Sequence, residues 1–207
     1  MLARWQNEKD PRIAERSALV ALLEPLDGPE LELAVELADT AVASNHPSLH
    51  NHFLVAHGLA TYRRGLQADS RQDEPRAGQF YKQAQQSLET AIEQFRPDDH
   101  RFKRAQARFI LAMVLHHLKD NRADDVLTES AIDYQSFPQF GRGMVDVYMV
   151  RALRCEAIRT IVGPGFELVE QVEQLLAAGD NESAMEQIRD IALPKSGSGV
   201  IPIDFRL

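Results

Sequence analysis

The sequence predicts an all-α protein of antiparallel helical hairpins, about nine helices in all. Three observations predict it. Apolar residues recur three and four positions apart through most of the chain, and two-residue alternation is nearly absent before residue 200. Proline and glycine stand at the ends of these stretches, where they start and stop helices. The connections are mostly short, which makes successive helices pack antiparallel.

Each element has its own signal. Asp10-Pro11 is an N-cap followed by proline at the first helical position, and "RIAERSALVALLEPL" carries the helix to a stop near Pro25. "DGPE" over 27–30 turns the chain into a second helix. There Leu31, Ala34, Val35, Ala38, Ala41 and Val42 share a face, and Leu33 and Leu37 form a second apolar edge. Two apolar edges call for neighbours on two sides. "NHP" ends that helix, Ser48 caps a third over about 48–64, and Gly65 closes it. The polar stretch "LQADSRQDEPR", 66–76, reads as an exposed loop. A fourth helix spans 77–95, burying Ala84, Leu88, Ala91, Ile92 and Phe95, and Asp98 or Asp99 caps the fifth. That fifth helix is apolar nearly all round from Phe109 to Leu115, so it belongs in the middle of the structure. "KDN" turns the chain into "ADDVLTESAIDY", "SFPQFGRG" breaks it, and 144–161 is another strong helix stopped by "VGPG". A last hairpin covers 166–179 and 181–193, and "KSGSGVIPIDFRL" reads as a linker followed by an extended tail.

The expected organisation is one domain over 1–195, with a core array at 10–162, an extra hairpin at 163–195 and a tail at 196–207. The formal net charge of −8 disfavours general nucleic-acid binding and docking on anionic membranes, both of which need clustered Lys and Arg. A single cysteine, Cys155, permits no internal disulfide and no Cys-rich zinc motif. The longest aliphatic run, "ILAMVL" at 110–115, is far short of the ~20 residues of a membrane span, and the first residues carry no secretory hydrophobic stretch. A cytoplasmic protein is the expectation.

A repeat is visible. Gly58, Tyr62 and Gly65 in one helix are followed by Ala84, Leu88, Ala91 and Pro97 around the next. Gly58 and Ala84 are small so that two helices can approach closely; Ala91 makes room for the following hairpin. A looser second unit offers Ala112 and Ala131, with Lys119 in place of the turn glycine and Asp124 in place of the early alanine. The last hairpin supplies Gly179, Asp180 and Ala184, and 31–47 supplies Ala41 and Pro47. In order and spacing these residues resemble a tetratricopeptide-repeat array of three to four degenerate units, departing from it in the long stretch after Gly65. The resemblance implies a right-handed α-solenoid that holds a protein or peptide in a concave groove. "GPELELAVELADTAVASNHP", "VAHGLATYRRG", "RFILAMVLHHLKDN" and "YMVRALRCEAIRTI", in this order, also resemble the helical region that follows the kinase domain in some large bacterial serine/threonine protein kinases, over about residues 12–162. That likeness implies a regulatory or interaction module. The chain has no Gly-rich loop after a strand, no His-Arg-Asp and no Asp-Phe-Gly, so phosphoryl transfer is not expected of it.

The tetratricopeptide register places His52, Val55, Leu59, Tyr62 and Arg63 of the first unit in the groove, with Phe109, Met113, His116 and His117 of the second. For the apolar ones, Phe109 and Met113 above all, plain core is the competing reading. Four histidines crowd His46 to His57, but His50 and His57 stand two turns apart, about 10 Å along a helix, too far for one metal, and no His-Glu-x-x-His occurs. No metal and no cofactor are expected, and no serine sits in a nucleophile-elbow pattern. Cys155 reads as a small core residue, and Asp124, Asp125, Glu129 and Asp133 as a solvated helix face or the mark of a basic partner. Val200, Ile203, Phe205 and Leu207 suggest a docking tail and a homodimer made through it. The resulting expectation is a non-catalytic scaffold or adaptor. A structural or oligomerisation module is the alternative, and a metal-dependent helical enzyme using the histidine cluster a third.

Overall fold

The computed structural model describes residues 2–96, 101–135, 144–163 and 183. The chain divides into two compact units, Met1–Ile161 and Val162–Leu207. Among the described residues all regular structure is helical. After a 3-10 turn at Leu2–Trp5 come α1 (Pro11–Ala21), α2 (Gly28–Ala43), α3 (His50–Ser70), α4 (Glu74–Gln94), α5 (Arg101–His117), α6 (Ala123–Gln135) and α7 (Met144–Val162). None of these helices is long and apolar enough to cross a membrane.

The boundaries follow local chemistry. The Asp10 carboxylate accepts from the Arg12 backbone N–H at 2.9 Å, and Pro11 occupies the first turn of α1. In α2 both apolar edges are used: Leu31, Ala34, Val35, Leu37, Ala38 and Ala41 are buried and Leu33 is partly covered. In α5 every residue from Phe109 to Leu115 is buried, as an all-round apolar helix requires.

The loop expected at 66–76 is not there. Helix α3 runs through Gly65 to Ser70, and only Arg71–Asp73 separate it from α4. Gln72 takes a left-handed conformation (φ 61°), the Ala68 carbonyl accepts from the N–H groups of Arg71 and Asp73, and the Asp73 carboxylate caps α4 through the Arg76 N–H at 3.3 Å. Pro75 sits in the first turn of α4. A turn made by a non-glycine residue hides the break that glycine would advertise, while Leu66 and Ala68 pack against the core and hold the extra turns of α3. The last hairpin, the tail, the "SFPQFGRG" break and the cap of α5 lie outside the described residues.

Each helix from α2 to α6 packs on its predecessor, and α1 meets α3 as α3 meets α5. Helices α3 and α4 pack closely. A Cβ on Gly58 would lie 2.6 Å from Leu88 Cγ, and Ala84 is fully buried, so small residues are needed at this crossing. The Lys103 ammonium reaches the Glu15 carboxylate at 3.2 Å, a buried ion pair linking α5 to α1. Asp133 is also buried, clasped by Arg104 and Arg108; of the four carboxylates read as a solvated face, it is not solvated. Burial raises its pKa, but the two guanidinium groups outweigh that and hold it below the usual carboxylate range. Cys155 is half-buried rather than core.

Candidate functional site

Of the nine residues assigned to a groove, six are core. Val55, Leu59, Phe109 and Met113 are fully buried, and Tyr62 and Arg63 are 1% and 2% exposed. His52 and His117 are half-buried, and His116 is exposed. For Tyr62 and Arg63 the physical reason is α7, while the Phe109 ring meets Tyr134 of α6 with centroids 6.4 Å apart. Met149, Val150, Leu153 and Ala157 form one buried stripe along α7, and its side chains reach α1, α3 and α6. The Asp146 carboxylate meets the Arg16 guanidinium at 2.5 Å, Glu156 meets Arg63, Thr160 is in hydrogen-bonding reach of the Tyr62 phenol, and the Arg154 guanidinium lies 5.6 Å over the Tyr134 ring. The face of α3 that the repeat register marks as a ligand surface is met by a helix of the same chain.

Arg63 is the centre of this contact. Its Nε and Nη2 donate to the Leu22 carbonyl at 3.0 and 2.9 Å, capping the C-terminus of α1. Nη2 also donates to Glu156 Oε2 at 2.7 Å and Nη1 to Oε1, a two-pronged grip on α7. One side chain on α3 thus holds both α1 and α7. Burial, with Glu156 second, pushes the neighbouring Tyr62 phenol well above its ordinary pKa.

Further along the same face of α3 an aromatic cluster joins three helices. Tyr81 of α4 donates its hydroxyl to the Asp69 carboxylate. The His117 ring at the end of α5 stacks on Tyr81 with centroids 4.9 Å apart, and lies 5.8 Å from Tyr62. His117 Nδ1 is 3.7 Å from Asp69 Oδ2. On the other side of α3, His57 bridges two helices: Nδ1 lies 2.9 Å from Ser87 Oγ and Nε2 lies 3.5 Å from Asp39 Oδ1. Sequence reading picked His117 and Tyr62 but missed Asp69, Tyr81, Asp39, Ser87 and Glu156. Asp69 stands seven residues after Tyr62, a spacing that places both on one helix face and was available as a signal.

Burial holds both His57 and His117 below the ordinary value of 6.5; Asp39 and Asp69 pull the other way and are outweighed, while Arg64 and His116 add to the depression. The folded chain therefore carries both rings neutral at neutral pH, and below the unfolded value the unfolded state binds more protons. The stability these rings contribute is complete above pH 6.5 and is lost as the pH falls from there through the folded-state values. The expected result is a thermal midpoint that drops between about pH 7.5 and about pH 5. His117→Gln and His57→Gln should each flatten part of that slope, and an unchanged profile in the double variant would place the loss elsewhere.

Ser87, His57 and Asp39 have the composition of a catalytic triad but not its hydrogen-bond logic. The Ser87 hydroxyl donates to the Gln83 carbonyl at 3.1 Å, one turn back in its own helix. With the hydroxyl proton on that carbonyl, Ser87 accepts from the His57 Nδ1–H; a neutral ring protonated there is no base toward Ser87 and has no proton for Asp39. Asp39 also lines an open depression of about 460 Å³ with Glu32, Glu36, Thr40, Ala43 and Arg64, where Arg64 pairs with Glu32. Among the described residues no three His, Cys, Asp or Glu side chains converge as a metal site would require. No family model, no curated protein and no solved structure matches this chain.

Proposed function

We propose that the chain is a non-catalytic, tetratricopeptide-like protein-binding module in which α1–α2, α3–α4 and α5–α6 are stacked hairpins. The observation that carries this reading is the packing order. Each helix from α2 to α6 lies on its predecessor, and the first helices of successive hairpins, α1, α3 and α5, meet one another. Such an order gives a continuous inner face contributed by first helices alone, the surface on which solenoids hold extended or helical segments. The close packing at Gly58 and Ala84 agrees with it. The Ser87 hydroxyl's bond to the Gln83 carbonyl weighs against catalysis at that residue. A regulatory setting such as the kinase-associated region that the sequence resembles fits the same role.

Affinity capture from native lysate tests it, with the wild-type chain beside Glu156→Ala. The Tyr62 and Arg63 positions are unsuitable for such a variant because both are core. A partner recovered by the wild type, and in changed amount by the variant, is the expected result. Recovery of nothing beyond the bead control by either chain, with self-association in sedimentation, would transfer the assignment to an oligomerisation module.

A further inference from the structure

The open depression beside α2 has a volume of about 460 Å³, within the range of small-ligand sites, about 300–1,000 Å³. Glu32, Glu36, Asp39, Thr40 and Ala43 recur at helical spacing along α2 and line it, and Arg64 of α3 completes the lining. Three carboxylates thus share one guanidinium, and Glu32 engages it. Glu36 has no cation in ion-pair range among the described residues.

The Asp39 end shows what is missing. The Ser87 hydroxyl keeps its proton on the Gln83 carbonyl, so the neutral His57 ring carries its own proton on Nδ1, toward Ser87. Its Nε2 is then a lone pair, and it faces Asp39 Oδ1 at 3.5 Å. Two acceptors stand before each other with no hydrogen between them. Both side chains reach solvent, His57 with 27% and Asp39 with 54% exposed. Such a pair calls for a donor from outside, and the carboxylate calls for a positive one. A nitrogen about 2.9 Å from each acceptor fits between them. An ammonium is a point charge with three donors that turn to suit; a guanidinium fork matches the two oxygens of one carboxylate instead.

We propose that the depression binds a primary ammonium group, held by His57 Nε2, Asp39 and Glu36, and that this group is the lysine side chain of a partner polypeptide. The site goes beyond the inner face named above, because its carboxylates come from α2, a second helix. The polypeptide source follows from the openness of the depression: the backbone bearing the lysine stays in water while the side chain enters, and the Ala43 methyl meets its aliphatic stem. A competitor is part of the site. A proton on Nε2 makes His57 itself the cation that pairs with Asp39, so ring protonation and ammonium binding exclude one another. The charged groups acting on the ring are Asp39 from α2 and Arg64 from α3, and α4 presents the neutral Ser87 hydroxyl. Affinity is therefore complete above about pH 6.5 and falls below it, whereas attraction to carboxylates alone stays level down to about pH 5.

The test uses the full chain and a fluorescein-labelled peptide with one lysine among four glycines, read by anisotropy. The same peptide with Nε-acetyl-lysine or with arginine stands beside it. The lysine peptide should bind the wild-type chain, and bind Asp39→Asn about fivefold more weakly; the acetylated peptide should bind neither. Asp125→Asn, an exposed carboxylate on α6, should leave the affinity unchanged. Lowering the pH from about 7.5 to about 5.5 should weaken wild-type binding several-fold, and His57→Gln should show no such slope. Asp39 is largely exposed, so Asp39→Asn should fold, which circular dichroism checks. No binding by the wild-type chain, equal affinity in wild type and Asp39→Asn, an equal loss at Asp125→Asn, or a level wild-type pH profile overturns the proposal. Arginine peptide bound as tightly as lysine peptide overturns the ammonium assignment. Free n-butylamine bound as tightly as the peptide gives the site to a small amine and overturns the polypeptide source.

Discussion

Arg63→Ala lowers the unfolding free energy by about 3–5 kcal/mol, the range for breaking a buried ion pair from one side. Two groups lose their partner at once. The Leu22 carbonyl loses both N–H donors that cap α1, and the Glu156 carboxylate loses its counter-charge. Glu156 keeps 23% of its side chain exposed, so water recovers part of the second loss and the lower half of the range is expected. Arg63→Lys keeps the charge but cannot bridge two acceptors in one plane, and should fall between wild type and Ala. Denaturant midpoints measure this directly. The internal control is Arg12, whose pair with Asp10 lies on the surface, 70% exposed on the Arg12 side. Arg12→Ala should leave the midpoint unmoved, since solvent and salt screen that pair. Equal effects at Arg12 and Arg63 would mean that burial is not what makes the Arg63 grip strong. A double-mutant cycle with Glu156→Ala then isolates the α7 half of the interaction from the α1 half.

The same residue shows how far sequence carries. Helical periodicity places Tyr62 and Arg63 on one face of α3, and that face is real. Which element covers it is not a local property: Glu156 is 93 positions away in the chain. Periodicity reports that a face needs a neighbour, and the repeat register supplied a ligand as that neighbour. At Tyr62 and Arg63 the structure supplies α7, so these two residues expected to touch a partner are core. The helices themselves were legible because their signals are local. Asp10-Pro11 starts α1 where expected, and the all-round apolar run of Phe109–Leu115 lies in the core. Where the signal was ambiguous the boundary moved. Gly65 looks like a helix stop because glycine often ends helices, yet α3 continues five residues past it. Asp73 two residues before Pro75 was the usable start signal for α4.

What Gly65 does instead leads to the second large effect. Neither Gly58 nor Gly65 has the positive φ that demands glycine, so each is there because of what lies against it. A Cβ on Gly65 would strike the Tyr81 ring, 2.6 Å from Cδ1, and one on Gly58 would meet Leu88. Tyr81 cannot swing aside freely: its hydroxyl is bound to Asp69 and its ring is stacked on His117. Gly65→Ala should therefore destabilise the fold by about 1–3 kcal/mol, the cost of overpacking, despite a gain in helix propensity of about 1 kcal/mol. Gly78 in α4 is the opposite case, since nothing lies within 4 Å of its Cβ position. Gly78→Ala collects the propensity gain alone and should stabilise by about 0.5–1 kcal/mol. One chemical change, made at two helical glycines, is thus expected to move thermal midpoints in opposite directions. The Gly65→Ala chain should also lose Tyr81 burial, read as a change in near-ultraviolet circular dichroism. If both substitutions stabilise, the α3–α4 crossing has room to spare, and the close approach inferred from Gly58 and Gly65 is not what sets it.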